Sequence, residues 1–343
     1  MKKIILYILV ISVLFQSMSC RRDEAETGEK KAEIAVFIPG VVAGSPTYEM
    51  LADGVKKASI EHGESEVRII EAGFNQGEWE NKLTALAATG SYDFIITSNP
   101  AMPEICRRVS RVYPEQKFIV LDGYMTGEEN IYTFLYNSLE QAYLIGVMGG
   151  LAAEYMTDSS PRPLKAGMIA GQEYPVMNNV LKPGFLKGLR SVNSSIELDF
   201  RVVGNWYDAS KGAELAHSIY NAGAEVILVI AGGAGQGVVS AAKERGKYVL
   251  WFDDNGYAIS EGQIIGCAAM KQDKAAYEIT LKALEGTLEY GTADIAGVRE
   301  GYVYFIDDDP IYKRIVPENI REKMARAVDD LKSGRVKLEM PLF

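Results

Sequence analysis

The sequence predicts an α/β protein of two similar doubly wound lobes, each built on a parallel β-sheet, with a cleft between them. Three observations carry this prediction. Short β-rich runs alternate with helical patterns from residue 34 onward, the strands are apolar on both faces, and the alternation restarts near residue 165. Strands that are apolar on both faces are typical of a parallel sheet covered by helices on each side.

The first half of the chain alternates four predicted strands with three predicted helices. The strands lie at 34–39, 67–70, 92–98 and 117–122, and the helices at 47–62, 78–89 and 103–113. This βαβ rhythm places the carboxyl ends of the strands along one edge of the sheet, where an open α/β sheet forms its crevice.

The second half repeats the pattern. Its strands are predicted at 165–171, 198–204, 224–233 and 248–254, and its helices at 177–192, 209–222 and 236–245. Segment 67–98 parallels segment 200–231, and KFIVLD parallels YVLWFD, which indicates a duplicated βαβαβ unit.

The chain beyond residue 254 is predicted to cross back between the lobes. It contains a strand at 264–270, a helix at 272–285, a strand pair near 295–306 and a closing helix at 317–333. We expect a first lobe of 33–157 plus about 264–295, and a second lobe of 163–254 plus about 300–335. The crossings are then expected near 155–163, 255–263 and 290–305.

The N-terminus predicts export. Lys2 and Lys3 precede an apolar run at 4–15, which is shorter than the ~20 residues of a membrane span, so residues 1–19 are predicted to be a signal peptide. Small residues before Cys20 indicate lipoprotein processing, with Cys20 as the acylated, palmitate-type anchor and 20–32 as a flexible tether. Ordinary secretion is the alternative. The expected location is the periplasmic face of a membrane.

Composition limits the possible partners. The formal net charge is −10, and loss of Lys2 and Lys3 would make the exported part more acidic, so no nucleic acid is expected as a partner. Apart from Cys20, the chain has only Cys106 and Cys267, which could pair or stay reduced.

Motifs for catalysis are sparse. His62 and His217 are the two histidines, both in helical patterns, and no nucleophile elbow, phosphate loop or metal motif is found, so no metal is expected. The segment from 226 to 254 resembles a dinucleotide-binding fingerprint, but its glycines do not give G-x-G-x-x-G. An enzyme is disfavoured because of these absences.

Polar and aromatic side chains gather in the loops that follow the predicted strands. They are Tyr48, Phe74, Ser98, Asn99, Asp122, Trp206, Tyr207, Asp208, Asp253 and Asp254. Any one of them could be a turn or cap residue, but their recurrence in both lobes predicts a small-molecule cleft.

Six segments in this order resemble the basic membrane protein family of substrate-binding lipoproteins of ABC importers. They are KFIVLD (117–122), NSLEQAYLIG (137–146), NWYDASKG (205–212), VILVIAGGAGQGV (226–238), WFDD (251–254) and AAMK (268–271). The resemblance spans about 33 to 335. It implies a type I periplasmic-binding-protein fold, in which two doubly wound lobes joined by a multi-strand hinge close on a small molecule, without catalysis.

The resemblance also implies ligand contacts. Trp206 matches the stacking aromatic of the second lobe, and Tyr48 lies within a residue or two of its partner in the first. Asp253 matches the acidic residue that takes sugar hydroxyls. The rest of the expected ligand-binding set is Asn99, Asp122, Asn137, Glu140, Gly233, Gln236 and Lys271.

The departures from the family bear on the ligand. The loop GVVAGSPTYEM lacks the Asp and Asn of the family's nucleoside binders, and Leu139 replaces an Asn before Glu140. Lost partners at a purine edge would cost about 1–3 kcal/mol each. Trp206 in place of the usual Phe offers a wider face, which suits the tricyclic isoalloxazine, and the chain looks like the spirochaetal riboflavin-binding branch of the family.

We therefore expect a monomeric, lipid-anchored receptor that passes riboflavin to an ABC permease and its ATPase, with riboflavin as transported ligand and no resident cofactor. A purine nucleoside is the alternative within the family. A flavin- or nucleotide-dependent enzyme and a surface adhesin are the alternatives of other classes.

Overall fold

The computed structural model describes residues 31–63, 65–156 and 163–342. The predicted signal peptide (1–19), the lipidation site Cys20 and nearly all of the predicted tether (20–32) lie outside the described residues. Within the described ranges, every helix falls short of the length and apolarity that a membrane crossing requires.

The described chain contains twelve strands. In chain order they are β1 (Glu33–Ile38), β2 (Glu66–Glu71), β3 (Phe94–Ser98), β4 (Lys117–Leu121), β5 (Ile131–Tyr136), β6 (Lys165–Ala170), β7 (Glu197–Val202), β8 (Val226–Ile230), β9 (Tyr248–Asp253), β10 (Ile264–Met270), β11 (Ala293–Ala296) and β12 (Val303–Phe305). The strands inside the sheets are buried on both faces, as in β3, β5, β8 and β10. The edge strands β2 and β7 are partly exposed.

In the same described ranges, ten α-helices alternate with or follow these strands. They are α1 (Pro46–Glu61), α2 (Gln76–Ala87), α3 (Met102–Ser110), α4 (Ser138–Tyr155), α5 (Lys182–Val192), α6 (Ala209–Asn221), α7 (Gly235–Arg245), α8 (Gln272–Leu284), α9 (Pro310–Ile315) and α10 (Glu318–Lys332). Asn75, Asn137 and Asp208 begin α2, α4 and α6, because each side chain accepts a hydrogen bond from a first-turn N–H. A π-helical turn, Met177–Leu181, precedes α5.

The strands form two six-stranded sheets of the same connectivity. The first has the order β11-β5-β4-β3-β1-β2 and the second the order β12-β10-β9-β8-β6-β7. All pairs in the first sheet are parallel, whereas β12 runs antiparallel to β10 at the edge of the second. The predicted duplication and the two-lobed α/β class therefore agree with the structure.

Two helices cross from one lobe to the other. α4 follows β5 of the first sheet, yet it packs on α5 and against β10 of the second lobe. α8 follows β10 of the second sheet, yet it packs on α1 of the first lobe. There, Gln272 Nε2 donates to Ser98 Oγ (2.8 Å) and to Thr47 O (3.1 Å). The third crossing joins β11 to β12.

These placements correct the predicted lobe boundaries. The main segment of the first lobe ends near residue 137 instead of 157, because α4 belongs to the second lobe. The returning segment begins near 271 instead of 264, because β10 pairs with β9 in the second sheet. The crossings expected near 155–163 and 255–263 are therefore wrong, and only the third falls inside its expected range of 290–305.

Some elements also differ from the predictions. β5 was not predicted as an element, and β11 and β12 are not a pair, since each pairs in a different sheet. The residue-for-residue overlay of 67–98 on 200–231 is out of register at the strands. Gly73 and Gly204 make equivalent backbone contacts, but the second-lobe loop has two more residues before its helix cap.

Candidate ligand-binding site

Two aspartates end equivalent strands of the two sheets. Asp122 follows β4, and Asp253 ends β9. β4 is third in the first sheet counted from β11, and β9 is third in the second sheet counted from β12. Their φ angles are 55° and 76°, and among the described residues they are the two non-glycine positions with positive φ. The left-handed region is unfavourable for side chains with a β-carbon, and such strain gathers at functional sites. Both positions were predicted as ligand contacts.

The charge of Asp253 acts on Asp122 from the other lobe. Burial raises the pKa of Asp122 to about 7, and the negative charge of Asp253 adds to the shift. Burial likewise raises the pKa of Asp253 to about 7, although Gln141 Nε2, which donates to Asp253 Oδ1 over 3.1 Å, offsets part of it. The carboxyl ends of the two sheets therefore meet at this pair.

The first-lobe aromatic, Tyr48, lies against the end of β1. Its hydroxyl donates to Pro39 O (3.2 Å) and accepts a hydrogen bond from Asn99 Nδ2 (3.5 Å). A β-carbon placed on Gly40 would lie 2.9 Å from Tyr48 Cε2, so only glycine leaves room for the ring. Burial raises the pKa of Tyr48 to about 12, and the nearby charge of Asp122 contributes. The structure thus joins Tyr48, Asn99 and Asp122.

The second-lobe aromatic, Trp206, has the same relation to β6. A β-carbon on Gly171 would lie 2.5 Å from Trp206 Cε3, so the indole lies flat against the backbone at the strand end. Trp206 Nε1 donates to Gln172 Oε1 (3.2 Å), and Ala234 N donates to Trp206 O (3.3 Å). The side chain remains 39% exposed. Gly40 and Gly171 are thus equivalent positions, each covered by an aromatic ring.

Tyr174 belongs to this cluster and was missed by the sequence reasoning. Its ring centroid lies 6.2 Å from that of Trp206, at an interplanar angle of 47°. Burial raises the pKa of Tyr174, with further contributions from Asp253 and then Asp122. It therefore links the indole to the carboxyl pair. The only available signal was its place in the segment after β6, which corresponds to the segment after β1 that leads into α1 and Tyr48.

Asn137 and Glu140 hold the hinge together. Asn137 Oδ1 accepts a hydrogen bond from Glu140 N (3.2 Å), and Asn137 Nδ2 donates to Leu338 O (3.4 Å). Glu140 Oε2 accepts a hydrogen bond from Val298 N (2.7 Å), which ties the first crossing to the third. These contacts show hinge roles, whereas the predicted ligand contacts of both residues stay a prediction.

Three other predicted residues lie around the cluster. Lys271 stands at the second crossing, where Lys271 N donates to Tyr302 O (2.8 Å) and the ammonium lies 4.8 Å from the Tyr304 ring centroid. Gly233 and Gln236 are exposed at the start of α7, next to the loop that carries Trp206. Gly233 lies close to the Trp206 backbone, since a β-carbon on it would be 3.5 Å from Trp206 O.

Other chemistry lies away from this cluster. Cys106 and Cys267 are both buried and unpaired. His217 is at the surface, with Nε2 3.2 Å from Glu244 Oε2, and His62 is exposed. No cluster of metal-ligating side chains occurs in the part of the chain that the structure describes.

Comparison with known proteins shows which family the chain matches. The model of a family described as ABC transporter substrate-binding protein, PnrA-like, matches residues 31–334. The CD4+ T-cell-stimulating antigen of Listeria monocytogenes is 25% identical over 217 residues, which cover 61% of this chain and 56% of that protein. The nucleoside-binding protein BmpA of Lactococcus lactis is 34% identical over 130 residues, covering 38% and 34%. The chain thus spans just over half, or less, of these relatives.

Longer matches and solved structures agree with the fold. A lipoprotein of Pyrococcus abyssi is 25% identical over 302 residues, which cover 84% of this chain and 72% of that protein. A solute-binding protein of an Aeropyrum pernix ABC transporter superposes with a TM-score of 0.78 at 21% identity, covering 90% and 94%. One from Conexibacter woesei gives 0.63 at 18% identity, covering 90% and 99%. The fold is that of type I periplasmic binding proteins, and the family and these neighbours are solute-binding proteins, not enzymes.

Proposed function

The chain belongs to the PnrA-like family of ABC-transporter substrate-binding proteins, and on this premise we propose that it captures riboflavin in the cleft and delivers it to a membrane permease. In this proposal Cys20 carries the lipid anchor, the exported protein faces the periplasm as a monomer, and an ATPase drives the permease. Riboflavin is the transported ligand.

The observation that carries the proposal is the aromatic wall of the second lobe. Trp206 lies flat on Gly171, and the Tyr174 ring, tilted by 47° with its centroid 6.2 Å from that of the indole, borders the indole on the side of the carboxyl pair. An indole offers more stacking area than the single ring of a phenylalanine, so the wall suits a three-ring isoalloxazine between it and Tyr48. Stacking of this kind contributes about 0.5–1.5 kcal/mol per aromatic beyond area burial.

The carboxyl pair suits the polar parts of the same ligand. Asp122 and Asp253 can accept hydrogen bonds from ribityl hydroxyls and from the imide N–H of the flavin, and Asn99 adds an amide beside them. A phosphorylated flavin would bring a dianion toward two carboxyls, so the pair favours the uncharged vitamin over its phosphate.

The first loop offers few partners to a purine. In the stretch 40–47, the backbone donors of Val42 and Gly44 are already bonded to Glu71 Oε1 (2.7 Å) and Glu49 Oε1 (3.0 Å). No carboxylate or amide side chain lies in that stretch to meet the polar edge of a base. A purine edge directed at this stretch would therefore meet only the side-chain hydroxyls of Ser45 and Thr47.

A purine nucleoside is the second candidate. Ribose hydroxyls would suit Asp122 and Asp253 as well as a ribityl chain does, and the Lactococcus relative is named a nucleoside-binding protein. Riboflavin is preferred because the indole of Trp206 offers a wider stacking face than a single phenyl ring.

Closure would use the three crossings between the lobes. Ligand contacts to Tyr48 and Asp122 on one side and to Trp206 and Asp253 on the other stabilise the closed state over the open one. Binding is thereby coupled to a change of shape that a permease can recognise.

Titration of purified protein tests the proposal. Ligand should first be removed by partial unfolding and refolding, after which riboflavin and inosine are titrated separately by calorimetry. We expect riboflavin to bind and its fluorescence to be quenched in the complex. Added to protein loaded with inosine, riboflavin should displace the inosine. A protein that binds inosine but leaves riboflavin fluorescence unchanged would contradict the riboflavin assignment and favour the nucleoside candidate.

A further inference from the structure

Phe74 has an unusual combination of exposure and surroundings. The side chain is 74% exposed, although it is a large apolar ring, and it lies in the loop between β2 and α2 at the carboxyl end of the first sheet. A single exposed aromatic is ordinary on a protein surface. Its neighbours and the loop that carries it set this one apart.

The loop is fixed by several hydrogen bonds. Ala72 N donates to Ile38 O (2.8 Å), and Gly73 N donates to Gly40 O (2.9 Å), which continues the pairing of β2 with β1. The carbonyls of Ala72 and Gly73 accept hydrogen bonds from two side chains of α2, at 2.8 and 2.7 Å. The residue after Phe74 caps α2. Phe74 is thus held out toward solvent by an ordered backbone, so little conformational entropy remains to be lost on contact.

The Phe74 ring lies beside the first-lobe clamp residue. A β-carbon on Gly40 would lie 2.9 Å from Tyr48 Cε2 and 3.5 Å from Phe74 Cε1. Both rings therefore meet at the same glycine, with Tyr48 on the half-buried side and Phe74 on the solvent side. Two aromatic side chains therefore border Gly40, one half-buried and one exposed.

Tyr207 provides the comparison on the other lobe. It precedes the cap of α6 as Phe74 precedes the cap of α2, and it is 80% exposed. Its loop is also ordered, since Asn205 Oδ1 accepts hydrogen bonds from Tyr207 N (3.0 Å) and Asp208 N (2.8 Å). Trp206, not Tyr207, is the residue whose ring covers Gly171. Tyr207 is therefore a matched exposed aromatic without the contact that distinguishes Phe74.

We infer that Phe74 is a ligand contact at the cleft mouth, and that it selects flat ligands whose ring system is long enough to cover both Tyr48 and Phe74. This inference rests on the proposed riboflavin function. The hydrogen-bonding groups of the cleft, Asp122, Asp253 and Asn99, lie at the strand ends and receive the polar end of the isoalloxazine. The apolar dimethylbenzene end then lies at the mouth against Phe74, where no polar partner is needed.

The experiment compares two ligands that share a ribityl chain. Riboflavin has three fused rings, whereas 6,7-dimethyl-8-ribityllumazine has two. Affinities of both are measured by calorimetry for the wild type, Phe74→Ala, Phe74→Trp and Tyr207→Ala, after thermal melts have checked that each variant is folded.

We expect Phe74→Ala to weaken riboflavin binding by about 3- to 10-fold while the lumazine loses clearly less, so that the ratio of the two affinities falls. Phe74→Trp should keep the ratio, and Tyr207→Ala should leave it unchanged. An unchanged ratio in Phe74→Ala, or an equal fall in Tyr207→Ala, would overturn the inference and leave the proposed function standing. Failure of the proposed function is seen separately, as a wild type that binds neither flavin, and the inference then falls with it.

Discussion

Asp122 and Asp253 occupy the same place in two sheets of like connectivity. Each has positive φ, Asp122 just after β4 and Asp253 at the end of β9. Their carboxyls lie close enough for the charge of Asp253 to raise the pKa of Asp122 further. Duplication has therefore placed two like charges at the point where the lobes meet. Without a ligand, mutual repulsion opposes closure whenever both carboxyls are ionised.

The first prediction concerns stability and pH. Both carboxyls have a pKa raised from 3.8 to about 7 in the folded protein, so between about pH 4 and 7 the folded state holds protons that the unfolded chain has released. The free energy of unfolding must then fall as the pH rises through this window. The double variant Asp122→Asn/Asp253→Asn should melt higher than the wild type at pH 8, by about 2–4 °C for each kcal/mol recovered, and show little gain at pH 4.

Thermal melts across this range check the prediction, with the exposed carboxylate Asp53 changed to Asn as the control. A gain in melting temperature that is equal at pH 4 and pH 8 would show that repacking, and not removal of the two charges, causes it.

Truncation of the indole should weaken ligand binding. Trp206→Ala removes the indole that lies on Gly171 and beside the Tyr174 ring. We expect the affinity for riboflavin to fall by at least about tenfold. Because the side chain is 39% exposed, the melting temperature should change little. Fluorescence titration measures the affinity, and an unchanged value would remove Trp206 from the clamp.

The wall can also be disturbed without touching the indole. In Gly171→Ala, the new β-carbon would lie 2.5 Å from Trp206 Cε3, so the ring must move off the strand end. We expect riboflavin affinity to fall by about as much as in Trp206→Ala, or about tenfold. Gly77→Ala is a matched control, since its β-carbon would meet only Asn75 Oδ1, at 3.4 Å. Equal riboflavin affinities in Gly171→Ala and Gly77→Ala would contradict the proposed packing.

The hinge gives a further prediction. Glu140→Ala leaves the buried N–H of Val298 without its acceptor, which should lower the free energy of unfolding by about 1–3 kcal/mol. Glu140→Gln keeps an acceptor oxygen at the same place and should lose less. Urea unfolding measures both changes. Identical losses in the two variants would indicate that the carboxylate charge, and not the hydrogen bond, is what the hinge needs.

Anchoring can be tested on the full chain. Cys20→Ala should abolish incorporation of labelled palmitate during expression and move the protein from the membrane fraction to the soluble exported fraction. Cys106→Ala and Cys267→Ala are controls within the same chain, because both thiols are buried in the folded protein. Retention of label in the Cys20 variant would contradict the lipoprotein assignment.

The sequence predicted the strands and their polar ends well, because burial on both faces of a parallel strand and a polar residue at its carboxyl end are local patterns. Tyr48, Asn99, Asp122, Trp206 and Asp253 followed from those patterns and the family resemblance, and the structure brings them together. Tyr174 did not follow, because nothing in its own loop distinguishes it until the indole is seen beside it.

The helix exchange could not be predicted by the same means. α4 is buried along nearly its whole length, so its sequence carries no amphipathic period that would show which sheet it covers. An apolar helix sequence indicates that the helix is buried. Which sheet it covers depends on where the chain crosses between the lobes. The two-residue insertion before the cap of α6 was likewise not predicted, because segments 67–98 and 200–231 have equal length and align without a gap.

The exchange of α4 and α8 also limits how this protein can be taken apart. A fragment that ends near residue 137 would leave α1 without α8, and a fragment that begins there would carry α4 without the strand that leads into it. Neither half of the repeat is therefore a module that can be cloned alone, transplanted or lost by deletion. Although the two sheets share one connectivity, the helices that cover them make a single folding unit.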